Sequence, residues 1–141
     1  MTDDEALALA VRLVACKHFR PMPGMRDLQG RTWTPDLLWR WNRTIDRPDL
    51  RDPATLGCLL ALVREAYGAP LVTDEDGKSP LRPAVLYVLN WYGWYYIHRC
   101  HKYGDEKLYL DGTWSHDSYD EDLICCDNEA ETLVDALEAA P

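Results

Sequence analysis

Apolar residues recur with helical spacing in three segments of this chain and with strand spacing in a fourth. The first helical segment opens at Thr2, whose hydroxyl forms a capping-box pattern with the carboxylate of Glu5, and it runs through ALALAVRLVACKHF to about His18. Leu7, Ala10, Val11 and Val14 fall on one face, widened by Leu9, Leu13 and Cys16. The prolines and glycine of RPMPGMRD then stop the helix and turn the chain. The second segment is Asp52–Gly68. Asp52 caps the first turn, Pro53 has no N–H to lose at the first helical position, and Gly68 supplies a left-handed stop. Its apolar stripe is Leu56, Leu59, Leu60, Val63 and Tyr67. The third, EAETLVDALEAA, is capped by Asp127 or Asn128 and turns Leu133, Val134 and Leu137 inward.

From Ala84 the pattern changes to β-branched and aromatic residues punctuated by YGDEK and LDGT turns. An antiparallel meander follows: Ala84–Trp91, Trp94–His101, Lys107–Leu110 and a possible fourth strand at Thr113–Ser118. In the second strand Trp94, Tyr96, His98 and Cys100 point one way and Tyr95, Ile97, Arg99 and His101 the other. Neither face is plainly polar, so both want cover. Helices can supply one cover, and the Trp33–Trp41 segment, a ligand or a second subunit the other. Leu28–Leu50 mixes β-favouring residues with prolines and reads as a short strand near Arg31–Thr34 followed by an irregular or short helical Pro35–Trp41. Ala69–Pro83 reads as a surface loop. The expected architecture is one α+β domain over residues 1–141, with about three helices packed on a three- or four-stranded antiparallel sheet.

Composition narrows the setting. A chain of 141 residues buries roughly two thirds of its unfolded surface, enough for a core without metal or disulfides. Five cysteines, an odd number, read as reduced thiols. The acidic start MTDDEALALAV does not resemble a basic signal segment, and no apolar run approaches a membrane span, so a cytoplasmic protein is expected. The net charge of −9 is unevenly spread. Residues 105–141 hold 12 acids and one base, whereas 12–51 hold nine bases and four acids. Such a dipole suits a basic partner or a second copy, and net acidity argues against direct nucleic-acid binding.

Candidate chemistry is sparse. Cys16 with His18, His98 with Cys100 and His101, and Cys125 with Cys126 are the available metal ligands, yet none has the paired spacing that zinc sites use. Cys58 or Cys100 with a histidine base is the available nucleophile pair, but Cys58 lies along the apolar stripe. Neither a catalytic residue nor a metal or cofactor is assigned on these grounds. The strongest signal is aromatic: six tryptophans against one phenylalanine. Trp91, Trp94, Tyr96 and Arg99 on the meander, with Trp39, Trp41, Arg40 and Arg43 before it, are the candidate ligand- or partner-binding residues. Core packing, a protein or self interface, and a small-ligand pocket all use such residues.

Three blocks carry a family resemblance: ACKHFRPMPGMR at Ala15–Arg26, LRDPATLGCLLALVREAYG at Leu50–Gly68 and ETLVDALEAAP at Glu131–Pro141, together about a third of the chain. They resemble a family of small bacteriophage and prophage proteins that has no assigned activity. Phe19 and Tyr67 stand where that family has tryptophan. The resemblance implies a phage accessory protein and carries over no site residue. The expected function is non-enzymatic binding of a host or phage macromolecule, such as counter-defence inhibition, with possible self-association. Sequestering of a nucleotide-like ligand in an aromatic pocket is the alternative, and a small hydrolase or transferase the second alternative.

Overall fold

A capping box starts helix α1 (Asp3–Ala15): the Glu5 N–H donates to Thr2 Oγ1 at 3.2 Å and the Thr2 N–H to Glu5 Oε2 at 2.7 Å. The computed structural model describes residues 1–68, 71–72, 82–83, 85–101, 104–116 and 121–141. Helix α1 ends short of the expected His18, because Cys16 is already extended and Arg43 donates to the carbonyls of Val14 (2.6 Å) and Cys16 (3.3 Å). Its buried stripe is Ala6, Leu9, Ala10, Leu13 and Val14. Leu7 and Val11, expected inside, are each 46% exposed, since the main contact of α1 is a narrow seam with one other helix.

Helix α2 (Pro53–Ala66) follows its sequence signals closely: Asp52 accepts from the Thr55 N–H at 2.8 Å, and Gly68 ends the turn at φ +68°. Helix α3 (Glu129–Ala139) takes Asn128 as its cap, through a bond from the Ala130 N–H at 2.9 Å. The hydroxyl of Tyr67 donates to the Ala136 carbonyl at 2.8 Å and locks α2 to α3. Burial pushes that phenol up to about 12.

Seven strands complete the described fold. Within the expected surface loop Ala69–Pro83, β1 (Leu71–Val72) pairs with β2 (Arg82–Pro83), a correction at its ends; the remainder of that loop lies outside the described residues. The meander is β3 (Leu86–Trp91), β4 (Trp94–His101), β5 (Gly104–Leu108) and β6 (Trp114–Ser115). A further strand, β7 (Cys125–Cys126), pairs with β4 through Tyr95 and Tyr96 and makes the antiparallel sheet five-stranded. The third strand starts and ends earlier than Lys107–Leu110, and residues 117–118 of the expected fourth lie outside the described set. Ile97 and Leu108 enter one core with Leu59, Leu62 and Val63 of α2, Leu133, Val134 and Leu137 of α3, and Leu13 of α1. The fold is therefore α+β, with a helical layer on one face of the sheet.

The 26–50 segment departs most from expectation. Arg31–Thr34 forms no strand; the segment has only isolated bridges, Arg26 to Thr32 and Asp27 to Pro48. Its organiser is a pair of buried carboxylates around Arg31. Asp27, with no exposed surface, accepts from the Gln29 N–H (3.0 Å), the Arg31 N–H (2.9 Å) and the Arg31 guanidinium (2.6 Å). Asp46 accepts from the same guanidinium (2.6 Å) and from the Asn42 N–H (2.7 Å). A carboxylate that takes backbone N–H groups replaces the ladder a strand would need. A short 3₁₀ turn, Leu38–Arg40, falls within the expected helical stretch. Replacing Asp27 with Ala leaves those donors unpaired and should lower stability by about 2–3 kcal/mol in urea unfolding; a loss below the measurement error would show that the pair does not hold this segment.

Candidate functional site

Helices cover only the face of the sheet that carries Leu86, Val88, Ile97, Leu108 and Trp114. Strand alternation places Tyr87, Leu89, Trp91, Trp94, Tyr96, His98, Cys100, Asp105 and Lys107 on the opposite face, and no described helix packs there. The cross-strand register Tyr87–His98–Lys107 runs through the middle of this outer face, with Leu89–Tyr96 and Trp91–Trp94 beside it.

The outer face partly closes over itself. The Tyr87 ring stacks on His98 at 5.5 Å and 27°, Tyr96 meets His98 edge-on at 5.9 Å, and the Tyr87 hydroxyl donates to Asp105 Oδ2. The Lys107 ammonium lies 5.0 Å from the Tyr96 ring centre and 5.5 Å from that of Trp91, within cation–π range. His98 is only 2% exposed, and among the described residues neither ring nitrogen has a hydrogen-bond partner; Asp105 Oδ2 stands 3.8 Å from Nδ1. Burial holds His98 below the usual imidazole range, with Lys107 adding to the shift and Asp105 opposing it. Desolvation, then the bond to Asp105, pushes the Tyr87 phenol up.

Toward the β3–β4 turn the face opens. Trp91 is 51% exposed, Trp94 49% and Tyr92 89%. The turn residues are Tyr92 (φ +53°) and Gly93 (φ +82°), the pattern of a two-residue hairpin with positive φ at both positions. Glycine takes that conformation freely, whereas a bulky aromatic there is strained by about 1 kcal/mol. The Tyr92 ring also stacks on Trp91 at 5.7 Å and 22°, in full view of solvent.

The candidate residues named from the sequence therefore separate. Trp91, Trp94 and Tyr96 meet on the outer face. Arg99 lies on the inner face, bonded to Glu106 and 4.9 Å over the Trp114 ring, because odd positions of β4 face the helices. Trp39 and Arg40 form an exposed pair of their own, 5.1 Å apart. Trp41 packs on Trp33 (5.1 Å) and Phe19 (5.9 Å), so the Trp33–Trp41 segment covers the end of α1 and not the sheet. Arg43 is held by backbone carbonyls of α1. Tyr87, Asp105 and Lys107 were missed as site residues; only the strand register, with Tyr87 opposite His98 and His98 opposite Lys107, would have found them.

The other candidate chemistry disperses. Burial raises the Cys16 thiol to about 11 and that of Cys126 to about 12, and it also raises Cys58. His18 Nε2 is 2.8 Å from the Pro141 carbonyl, and the side chain of His101 lies outside the described residues. Among the described residues no three His, Cys, Asp or Glu side chains converge as metal ligands would. No described helix is long and apolar enough to cross a membrane. A cleft of about 760 Å³ lies between the starts of α1 and α3, and Glu5, Asp127, Glu129 and Glu131 are among its lining residues, with Arg12 and Arg51. Its arginines are engaged: Arg12 with Asp135 and Glu138 (both 2.6 Å), Arg51 with Asp3 (2.5 Å). Set against protein-family models, curated proteins and solved structures, the chain matches none.

His98 gives the face a pH signature. A base whose folded pKa lies below its unfolded value of about 6.5 binds a proton more readily unfolded, so stability is fully present above that value and falls as pH drops toward the folded pKa. Tyr87, Tyr96, Asp105 and Lys107 are the groups around it. Urea unfolding of the wild type and His98→Phe between pH 7 and pH 5 should show a shallower pH slope in the variant; equal slopes would contradict a buried neutral His98.

Proposed function

We propose that this chain is a non-enzymatic binding protein that holds a macromolecular partner, a protein, against the open end of the outer face, with Trp91, Tyr92 and Trp94 as anchors. The observation that carries this reading is Tyr92, a large aromatic kept in a left-handed turn position and 89% exposed. Asn-Gly or Asp-Gly would build the same turn with less strain. The stack on Trp91 leaves the Tyr92 ring almost wholly in solvent, so it offsets the strain with little burial, whereas exposed Trp and Tyr on a rigid hairpin supply contact area at low entropic cost.

The block resemblance to phage and prophage proteins supports an accessory role in a host cell, with inhibition of a host defence as a candidate outcome. A nucleotide-like ligand is a weaker reading. The 760 Å³ cleft is wide enough for such a ligand, but its acidic lining repels phosphate. The recess beside Trp33 and Arg40 has only about 140 Å³.

The test separates stability from binding. Tyr92→Asn should raise stability by about 0.5–1 kcal/mol while weakening retention of a host protein from phage-infected lysate. Trp94→Ser should weaken the same retention by about 30-fold, and Trp39→Ser, away from the sheet, should leave it unchanged. Equal retention by wild type, Tyr92→Asn and Trp94→Ser would remove the reading.

A further inference from the structure

Strand β3 is an outer strand of the sheet, and among the described residues no strand pairs with its other side. Cys100 donates to the Val85 carbonyl at 2.8 Å, so the odd positions 85, 87, 89 and 91 exchange backbone bonds with β4. Leu86, Val88 and Asn90 direct their N–H and C=O groups away from it. Arg64 Nε confirms that direction by donating to the Leu86 carbonyl at 2.8 Å, from α2. Beyond this contact, no hydrogen bond among the described residues reaches the outward groups of Val88 or Asn90.

Proteins usually protect such an edge with a charge, a proline, a bulge or a very short strand. The outer strand β6, Trp114–Ser115, uses shortness. Strand β3, LYVLNW, has none of these: its register runs unbroken from Leu86–Arg99 to Trp91–Trp94 and it carries no charge.

We infer that a second copy of this chain pairs antiparallel along β3 about a two-fold axis at Leu89, joining the two sheets into one. With Arg64 occupying Leu86, the positions left for exchange are Val88 with Asn90 of the other copy and the reverse, each exchanging both backbone bonds. Leu89 then faces Leu89, and Tyr87 faces Trp91 of the other copy, on the same outer face. Aromatic pairs in this close, non-hydrogen-bonded register are among the favourable cross-strand contacts. An uncharged strand gives a charged foreign segment nothing to select, and it sets no like charges against each other in a self-pair. An interface of this kind closes as a dimer, because each edge is used once. The pairing leaves outer-face side chains accessible from the front, and it sets Trp91, one of the three proposed anchors, beside Tyr87 of the other copy.

Sedimentation equilibrium from about 1 to 100 µM brackets weak association. The wild type should approach twice the chain mass at the upper end. Asn90→Pro, which removes an outward N–H and no bond to β4, and Leu89→Lys should each associate at least about tenfold more weakly. An equimolar mixture of Leu89→Lys and Leu89→Glu should recover the dimer, with an affinity that falls as salt rises. Far-UV circular dichroism confirms folding, and the Lys/Glu mixture decides the matter if Asn90→Pro does not fold. A wild type that stays monomeric overturns the proposal and leaves the edge to a foreign strand. A Leu89→Lys variant that dimerises as tightly as wild type, or a mixture that recovers nothing, overturns the register.

Discussion

Opposite the helices, the cover that the described residues give the five-stranded sheet comes from its own side chains. That constraint organises the molecule. Helices α2 and α3 cover Leu86, Ile97 and Leu108, while α1 packs mainly against α3. Opposite them, Tyr87 and Tyr96 enclose His98, and Lys107 lies against Tyr96 and Trp91. These aromatics hold a cation and an imidazole out of water where a second helical layer would otherwise have supplied aliphatic cover. The enclosure weakens toward the hairpin tip, where Trp91, Tyr92 and Trp94 are all exposed. Packed and exposed aromatics thus shade into one another on a single surface.

The uneven charge of the chain has a structural counterpart. Arg12, in the basic part, meets Asp135 and Glu138 of the acidic end, so some of the dipole is satisfied within one molecule. Arg20 pairs with Glu65 at 2.7 Å, while Arg31 and Arg43 are held by buried carboxylates and backbone carbonyls. Arg20 and Arg43 staple the irregular parts of the chain to α2 and to the end of α1, whereas Arg31 ties the 26–50 segment to itself.

How much of this was legible in the sequence depended on how local each determinant is. The caps at Thr2, Asp52 and Asn128 act within a few residues of themselves, and all three helices start where those residues stand. The strands of the meander carry a two-residue period that survives in sequence. By contrast, the 26–50 segment is held by Asp27 and Asp46 converging on Arg31, a contact between positions that no period connects. Strand β7 is only Cys125–Cys126, too short to carry a pattern. At the site, Trp91, Trp94 and Tyr96 could be named because alternation puts them on one side. Alternation does not say which side the helices take, so Arg99 was grouped with them although it faces the core layer. Trp41 and Arg43 show the same limit: residue type suggested recognition, and long-range packing on Phe19 and on the end of α1 decided otherwise.

The central claim, that the outer face near the hairpin is open, is tested most directly by hydroxyl-radical footprinting read by mass spectrometry on dilute protein. Trp91, Trp94 and Trp39 should oxidise rapidly, and Trp33, 5% exposed, slowly. Protection of Trp91 and Trp94 to the level of Trp33 would mean that the face is covered, and would contradict the account.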